Sequence, residues 1–214
     1  NEPSLIGCEK VKVLVTGASS LLMREVAIAL VARGDEVVCM QRRAAHFPPE
    51  VHVRQELGDI SSLDAVTKAM TGCDVVVHGA ARVGILGTWN EFYNTNVVGT
   101  QNILSAARSL GVARIVHVST PSVAHVGHSL VGAVATPAVT GHKRAFYAES
   151  KAIAEIEALK KSHQLKSEIK TELAKMQYQA LMVQFFLQRR FEHVVIASRF
   201  YNQIWKDGDG TLYL

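Results

Sequence analysis

Cysteine, proline and aromatic residues are scarce in this chain. Its 214 residues include three cysteines, five prolines and 7% aromatic residues. Cys8, Cys39 and Cys73 lie far apart and form no Cys-x-x-Cys pair, which disfavours a disulfide scaffold and a zinc cluster. Because scattered free cysteines are typical of reducing compartments, we expect a cytoplasmic protein.

The histidines also lack the spacing of a metal site. His125, His128 and His142 form a loose group, but no His-Glu-x-x-His or similar pattern is present. We interpret these histidines first as polar residues of a loop, and only second as metal ligands. The sequence therefore predicts no metal site.

Long apolar runs and dense basic stripes are absent too. No run approaches the roughly 20 residues that span a bilayer. Segment 180–187 (ALMVQFFL) favours a buried helix face, although the following Arg189-Arg190 pair leaves an interfacial helix open. The net charge of +4 suits an anionic cofactor or an ordinary solvated surface. Without basic clusters among aromatic residues, we expect no nucleic-acid partner.

Strand and helix signals alternate regularly over the first three quarters of the chain. They predict strands at 11–15, 36–40, 51–53, 73–78 and 113–118, and helices at 25–32, 62–70 and 96–110. This alternation implies an α/β fold with right-handed βαβ units in a doubly wound parallel sheet. Thr16-Gly17 follows the first strand and precedes the first helix, as in the opening of a dinucleotide-binding, Rossmann-like unit.

The last part of the chain has a different pattern. No Gly or Pro occurs between Gly141 and Gly208, and apolar residues at 165–187 recur at spacings of three and four. This favours a long amphipathic helix, preceded by a break at 160–163 and followed by a strand at 193–197. We therefore divide the chain into a dinucleotide-binding domain at 1–160 and a segment at 161–214 with this helix and a final strand.

Tyr147 and Lys151 are the most informative pair in the sequence. Residues four apart lie on one face of a helix. A cation beside a tyrosine favours the phenolate and lowers the pKa of the phenol. Such a tyrosine can pass a proton to or from a carbonyl or alcohol oxygen near neutral pH. The spacing alone is common, and a helix-surface pair without chemistry is the alternative.

Several further segments accompany this pair in a fixed order. They are 13–19 (VLVTGAS), 57–60 (LGDI), 74–81 (DVVVHGAA), 96–100 (NVVGT) and 118–123 (VSTPSV). Together with the Tyr/Lys pair they resemble the extended short-chain dehydrogenase/reductases. The branch around 3β-hydroxysteroid dehydrogenase/isomerases and bacterial 2-alkyl-3-oxoalkanoate reductases is the more similar one, and Phe92-Tyr93 strengthens this subgroup.

The resemblance implies a catalytic set and a cofactor site. Thr120 would hydrogen-bond the substrate oxygen and Tyr147 would act as general acid/base. Lys151 would lower the pKa of Tyr147 and hold the nicotinamide ribose. The implied cofactor-binding residues are Gly17, Ser19, Ser20, Leu21, Arg42, Arg43, Asp59, Ile60, Ala80, Ala81, Asn96, Tyr147 and Lys151.

Some of these residues have distinct implied tasks. Gly17 would let the backbone approach the pyrophosphate at a helix N-terminus, where N–H groups favour anions. Asp59 and Ile60 would face the adenine. Asn96 would steady the fold and the hydrogen bonds of the active site.

The end of the second predicted strand bears on the choice of cofactor. NAD-binding units usually place Asp or Glu there, whereas this chain has Gln41-Arg42-Arg43. Two guanidinium groups could clamp a 2′-phosphate, so NADP is favoured over NAD. The alternative is that both arginines are ordinary loop surface.

Two departures from the family pattern bear on activity. The family's phosphate loop reads Thr-Gly-x-x-Gly-x-x-Gly, and here Ser20 and Met23 replace the second and third glycines. Since the third glycine permits close packing of helix on strand, Met23 is expected to weaken cofactor binding. The family also continues into a large substrate domain. With the chain ending at Leu214, we expect that domain to be missing.

Two functions stand as hypotheses. The first is an NAD(P)-dependent oxidoreductase that interconverts a secondary alcohol and a ketone on a hydrophobic substrate, steroid-like or a long-chain β-keto or β-hydroxy acid. The second is a non-catalytic or cofactor-impaired Rossmann-like module whose C-terminal helix mediates assembly. The expected macromolecular partner is a second copy of the chain through its helices, with membrane contact disfavoured.

Overall fold

The computed structural model describes residues 10–124, 138–141 and 145–164, and two further strands at 170–174 and 193–197. The strands are β1 (Lys12–Thr16), β2 (Glu36–Gln41), β3 (Arg54–Leu57), β4 (Val75–His78), β5 (Arg114–Val118), β6 (Lys170–Ala174) and β7 (His193–Ala197). The helices are α1 (Leu21–Arg33), α2 (Leu63–Met70), α3 (Trp89–Phe92), α4 (Gly99–Ser109) and α5 (Phe146–Gln164). A π-helical segment (Tyr93–Val98) joins α3 to α4, and a short 3-10 helix (Pro121–Ala124) follows β5.

The described strands form one parallel sheet. Their order is β3-β2-β1-β4-β5-β7-β6, and every neighbouring pair is parallel. The order reverses between β1 and β4, and in doubly wound sheets such a reversal creates the crevice in which ligands bind. The predicted α/β fold with a doubly wound parallel sheet is confirmed.

The central strands are apolar on both faces because helices cover both sides of the sheet. Leu14 of β1 packs with Ile103 of α4 in one cluster. Its neighbours Val13 and Val15 pack with Ala27 of α1 in another. Burying a side chain of this size contributes about 1.5–3 kcal/mol. This double burial fixes β1, and with it the loop that follows Thr16.

Serine side chains cap the N-termini of two helices. Ser20 Oγ accepts the N–H of Met23 at 3.4 Å, so this residue at a family glycine position serves as the N-cap of α1. Ser62 Oγ accepts the N–H of Ala65 at 3.3 Å and caps α2. The helix predicted at 25–32 lies within α1, which begins four residues earlier, after its cap, and ends one residue later.

β3 does not lie where the sequence predicted it. The run at 51–53 belongs to no strand, and β3 forms at Arg54–Leu57. Three of its four side chains are exposed. Backbone pairing with β2, in which Arg54 lies opposite Val38, determines its position. A polar strand at the edge of a sheet has no apolar run that would reveal it.

The C-terminal prediction is wrong in part. α5 continues past residue 160 to Gln164, so no break occurs at 160–163. Lys170–Ala174, inside the helix predicted at 165–187, form β6 and pair with β7. Pairing with a neighbouring strand decides the structure here, because apolar spacing in a short segment does not separate helix from strand.

The final strand was placed correctly. β7 occupies His193–Ala197, as predicted, and pairs with β5. Residues 175–187, including the apolar segment 180–187, lie outside the described residues, as does Arg189-Arg190. The division of the chain at residue 160 stays a prediction.

A glycine accommodates Met23. The Met23 side chain is 1% exposed and packs against Gly79, the first residue after β4. A Cβ built on Gly79 would lie 2.5 Å from Cγ of Met23. The space that the family obtains from a glycine in α1 is thus provided by a glycine on the other side of the contact. Met23 therefore packs without separating α1 from the sheet.

We expect Gly79→Ala to lower the free energy of unfolding by about 1–3 kcal/mol, because the new methyl group overlaps Met23. In a Met23→Ala background the same substitution should cost less, since the overlap is gone. Urea denaturation of the wild type, both single variants and the double variant measures the two costs. Equal costs in the two backgrounds would contradict this contact.

Candidate active site

A cleft of about 270 Å³ lies at the carboxyl ends of β1, β2, β4 and β5. This is where doubly wound sheets bind their ligands. The predicted site residues that line it are Gly17, Ser19, Ser20, Arg42, Asp59, Ile60, Ala80, Ala81, Tyr147 and Lys151. The predicted site residues that do not line it are Leu21, Arg43, Asn96 and Thr120.

The loop after β1 touches the loop after β4, backbone to backbone. Gly17 has a φ of 81°, and a Cβ built on it would lie 2.8 Å from Cα of Ala80. Thr16 Oγ1 accepts the N–H of Ala80 at 3.1 Å and holds the loops together. Any residue with a side chain at position 17 would separate them. Because glycine has no side chain, the backbone of Gly17 itself forms this part of the wall of the cleft.

The first turn of α1 borders the cleft through Ser20, Leu22 and Met23. The N–H groups and the dipole at a helix N-terminus favour an anion, and the first turn of α1 contains no acidic residue. Since Ser20 Oγ accepts the N–H of Met23, its own hydroxyl proton is available to a phosphate oxygen.

Gln41, the last residue of β2, places a buried acceptor in the wall of the cleft. Its side chain is 4% exposed, and its Nε2 donates to Gln55 Oε1 at 2.7 Å. The N–H of Ala45 donates to the same oxygen at 2.8 Å, which fixes the orientation of both amides. Gln41 Oε1 is left without a partner among the described residues. It can accept a hydrogen bond from a hydroxyl in the cleft.

The two arginines after β2 occupy different places. Both side chains are exposed. Arg42 lines the cleft, whereas Arg43 does not. The cleft therefore contains one of the two guanidinium groups that were predicted to meet a 2′-phosphate.

Asp59 and Ile60 form the wall of the cleft beyond β3. Asp59 Oδ1 accepts both the N–H and the hydroxyl of Ser61 at 2.9 Å, which holds the carboxylate in a turn before α2. Ile60 is buried against Gly99, where a Cβ would lie 2.5 Å from Ile60 Cδ1. The absence of a side chain at the start of α4 thus lets Ile60 reach the cleft.

Asn96 lies in the π-helical segment and joins two other parts of the fold. Its Oδ1 accepts the N–H of Arg82 at 2.7 Å, and its Nδ2 donates to the Arg82 carbonyl at 3.0 Å. The same Nδ2 donates to Ser150 Oγ on α5 at 2.9 Å. This geometry ties the loop after β4 to α5 but gives Asn96 no place in the wall of the cleft.

The three predicted catalytic residues come together at the end of β5. Tyr147 and Lys151 lie one turn apart on α5, and both line the cleft. Lys151 is buried, and its Nζ donates to the carbonyl of Val118 at 2.7 Å. Thr120 hydrogen-bonds Tyr147 and shares a 2.9 Å hydrogen bond with Ser122. Thr120 itself does not line the cleft, and its connection to the cleft is the hydrogen bond with Tyr147.

Burial governs the ionisation of this pair. It raises the pKa of Tyr147 above its usual value, and the hydrogen bond with Thr120 opposes this rise. Burial also lowers the pKa of Lys151 to about 8, against the opposing charge of Glu155. The predicted lowering of the Tyr147 pKa is not found. At neutral pH the tyrosine is protonated and the lysine is mostly charged.

Two buried imidazoles lie side by side in β4 and β5. The ring centroids of His78 and His117 are 5.4 Å apart. His78 Nδ1 bonds Thr16 Oγ1 at 2.8 Å, and its Nε2 bonds Thr100 Oγ1 at 3.1 Å. Both His117 nitrogens lack a partner in the described part of the chain. Burial lowers the pKa of His78 to about 3 and the pKa of His117 well below its usual value, so both rings are neutral at neutral pH.

Sequence reasoning missed Gln41, Val83, Thr95 and Ser119, which also line the cleft. Gln41 and Ser119 could have been found, because they stand at or just after the carboxyl ends of predicted strands. No sequence signal marks Val83 or Thr95. The fold brings them to the cleft through the segment between β4 and α4.

Neither a metal cluster nor a membrane-spanning helix occurs in the described residues. No group of three or more His, Cys, Asp or Glu side chains there could hold a metal ion. No helix there is long and apolar enough to cross a membrane. The loose histidine group, with His125, His128 and His142, lies outside the described residues.

Comparison with known proteins identifies relatives of this chain. The model of the NAD dependent epimerase/dehydratase family matches residues 13–170. A 2-alkyl-3-oxoalkanoate reductase of Stenotrophomonas maltophilia is 38% identical over 148 residues, which cover 67% of this chain and 44% of that protein. A 3-beta-hydroxysteroid dehydrogenase of Mycolicibacterium neoaurum is 32% identical over 151 residues, or 67% of this chain and 41% of that protein. The chain thus spans less than half the length of these relatives.

Solved structures support the same grouping. The structure of MoeE5 in complex with UDP-glucose and NAD has a TM-score of 0.63 and is 28% identical, covering 76% of this chain and 53% of that chain. The predicted resemblance is confirmed, and the segment matched by the family model contains every predicted site residue.

We expect the free energy of unfolding to fall as the pH decreases from about 6.5 to about 3. In this range the unfolded chain protonates His78 before the folded protein does, so stability rises with pH. The full loss is on the order of 5 kcal/mol at most. Urea denaturation across this pH range measures it. His78→Asn should flatten the dependence, and His52→Asn, at an exposed histidine, is the matched control. An equal slope in His78→Asn and the wild type would contradict this account.

Proposed function

The chain belongs to the NAD dependent epimerase/dehydratase family, and from this premise we propose that it is an NAD(P)-dependent oxidoreductase that interconverts a ketone and a secondary alcohol. The observation that carries the proposal is the position of Tyr147 and Lys151, one turn apart in the wall of the cleft. The relatives named as a reductase and a dehydrogenase support the reaction class.

The cleft fits a dinucleotide in three respects. Gly17 and Ala80 meet backbone to backbone in its wall, and Gly17 has no side chain that would occupy the cleft. The N-terminus of α1 lies beside it and suits a pyrophosphate. Gln41 Oε1 is an unpaired buried acceptor that suits a ribose hydroxyl. When bound, the nicotinamide supplies or accepts the hydride.

Tyr147 donates the proton to the carbonyl oxygen of the ketone. Because burial raises its pKa, the tyrosine is protonated at neutral pH, which favours reduction of a ketone. Thr120 orients the phenol through their hydrogen bond. Lys151 is held by the Val118 carbonyl, and its charge stabilises the phenolate that remains after the transfer.

We propose a hydrophobic ketone as substrate, steroid-like or a long-chain β-keto acid. The loop beside the cleft presents Val83, Ile85 and Leu86, which are 70%, 89% and 82% exposed. Arg82 closes this loop, since its guanidinium donates to the Leu86 carbonyl at 3.3 Å. Exposed apolar side chains next to a site are typical of a surface that binds apolar ligands. The names of the relatives agree with such a substrate.

NADP is the favoured cofactor in this proposal, with NAD as the alternative. β2 ends without a carboxylate, and Arg42 lines the cleft at this point. A guanidinium there can bind a 2′-phosphate, whereas a carboxylate would repel it. NAD stays open because the MoeE5 structure contains NAD.

The alternative function loses two of its supports. An assembly module was inferred from a helix at 165–187, and β6 occupies Lys170–Ala174 within it. Impaired cofactor binding was inferred from Met23, which Gly79 accommodates. Homodimer formation and a cytoplasmic location stay predictions.

Titration with NADPH and NADH, followed by fluorescence transfer from protein to nicotinamide, tests the cofactor site. We expect both to bind, NADPH more tightly. Arg42→Ala should weaken NADPH binding about tenfold and leave NADH binding unchanged, because it removes one charged hydrogen-bond donor. Arg43→Ala is the matched control, since its side chain does not line the cleft. Equal losses for both cofactors would contradict phosphate recognition by Arg42, and no binding of either would contradict the proposed function.

Tyr147→Phe should abolish turnover while NADPH binding persists, because it removes only the hydroxyl group that donates the proton. The expected loss is about 10²–10⁴-fold. It is measured as oxidation of NADPH in the presence of long-chain β-keto acids and steroid ketones. Tyr93→Phe is the control, because Tyr93 lies in the π-helical segment and does not line the cleft. Turnover retained by Tyr147→Phe would rule out this role for the tyrosine.

A further inference from the structure

Glu155 is a buried carboxyl group that has no part in the reaction proposed above. It lies on α5 one turn beyond Lys151 and is 0% exposed. Its Oε2 accepts a hydrogen bond from Ser119 Oγ at 2.6 Å. Burying a carboxylate is costly unless hydrogen bonds and a positive charge compensate it. A group of this kind one turn from the active-site lysine suggests a specific task.

Glu155 and Lys151 bind consecutive residues of one segment. Lys151 Nζ donates to the carbonyl of Val118 at 2.7 Å, and Glu155 accepts from the hydroxyl of Ser119. The next residue is Thr120, which hydrogen-bonds Tyr147. α5 therefore fixes two successive residues, the last of β5 and the one after it, directly before Thr120.

We propose that Glu155 is a positioning residue: through Ser119 it fixes the end of β5 so that Thr120 meets Tyr147, and its negative charge keeps Lys151 in the charged form. This inference rests on the proposed function, because it assigns Glu155 a task in the same site. The two roles are separable, since the first depends on a hydrogen-bond acceptor and the second on a charge.

The role of the charge follows from the surroundings of Lys151. Burial disfavours its ammonium form, and the charge of Glu155 opposes this effect. The other titratable groups near it among the described side chains are Tyr147 on α5, His78 on β4 and His117 on β5. At neutral pH these three are uncharged. Glu155 is thus the negative group that favours the charged lysine.

Titration of Lys151 in the free protein tests this role without turnover. The Cε resonance of Lys151, in protein labelled with heavy carbon at lysine and assigned by its loss in Lys151→Arg, reports the titration. Glu155→Gln removes the charge but keeps an acceptor for Ser119, and should lower the midpoint by about one pH unit. Ser119→Ala keeps the charge and should leave the midpoint close to that of the wild type. An unchanged midpoint in Glu155→Gln would overturn the charge role.

Turnover of the Ser119 variants tests the positioning role. Ser119→Ala should lower kcat about ten- to hundredfold with the KM for NADPH unchanged, since Thr120 and Tyr147 lose their alignment. Ser119→Thr keeps the hydroxyl and should restore kcat. A wild-type kcat in Ser119→Ala, or a failure of Ser119→Thr to restore it, would overturn this role. Circular dichroism verifies the fold of each variant.

The two measurements separate failure of the inference from failure of the proposed function. A wild-type protein without turnover on any ketone contradicts the proposed function, and the titration of Lys151 then decides the role of Glu155. If Glu155→Gln does not fold, the Ser119→Ala and Ser119→Thr pair decides the positioning role by itself.

Discussion

The close contact between the backbones of Gly17 and Ala80 is the constraint on which the site depends. It brings the loop after β1 against the loop after β4, so that the N-terminus of α1 and the residues after His78 border one cleft. Thr16 Oγ1 holds the two loops together because it accepts a hydrogen bond from the N–H of Ala80. A side chain at position 17 would separate these loops, because the Cβ would meet backbone that cannot rotate away.

A continuous chain of hydrogen bonds links this contact to the catalytic helix. It runs through Thr16, His78, Thr100, Asn96, Ser150 and the carbonyl of Tyr147. Most of these groups are buried, where satisfied hydrogen bonds are strong and unsatisfied ones are costly. The network therefore couples the position of Tyr147 to the position of the loop that would hold the cofactor. The hydrogen bonds of Lys151 and Glu155 with Val118 and Ser119 add a second connection, between α5 and the end of β5.

The elements that the sequence predicted well are those buried on both faces of the sheet. β1, β4 and β5 are mainly apolar because α1 covers one face and α2 and α4 the other, so each appears as a largely apolar run. β3 and β6 lie at the edges of the described sheet, and the sequence did not predict their positions. Backbone hydrogen bonds with a neighbouring strand, and not an apolar run, determine where these two strands form. The residues of the candidate site divide in the same way, into those with a local sequence signal and those without one. Residues in motifs, such as Gly17 and Tyr147, were found, and residues such as Thr95 that the fold brings in were not.

The sequence by itself determined the doubly wound sheet and the pairing of Tyr147 with Lys151, because periodic burial and helical spacing are local properties. Only the tertiary structure decided how Met23 is accommodated, since Gly79 is distant in sequence and close in space. It also decided the ionisation of the site. Spacing along a helix predicts which charges are neighbours, but burial sets the pKa of Tyr147 and Lys151, and burial depends on every element packed around them.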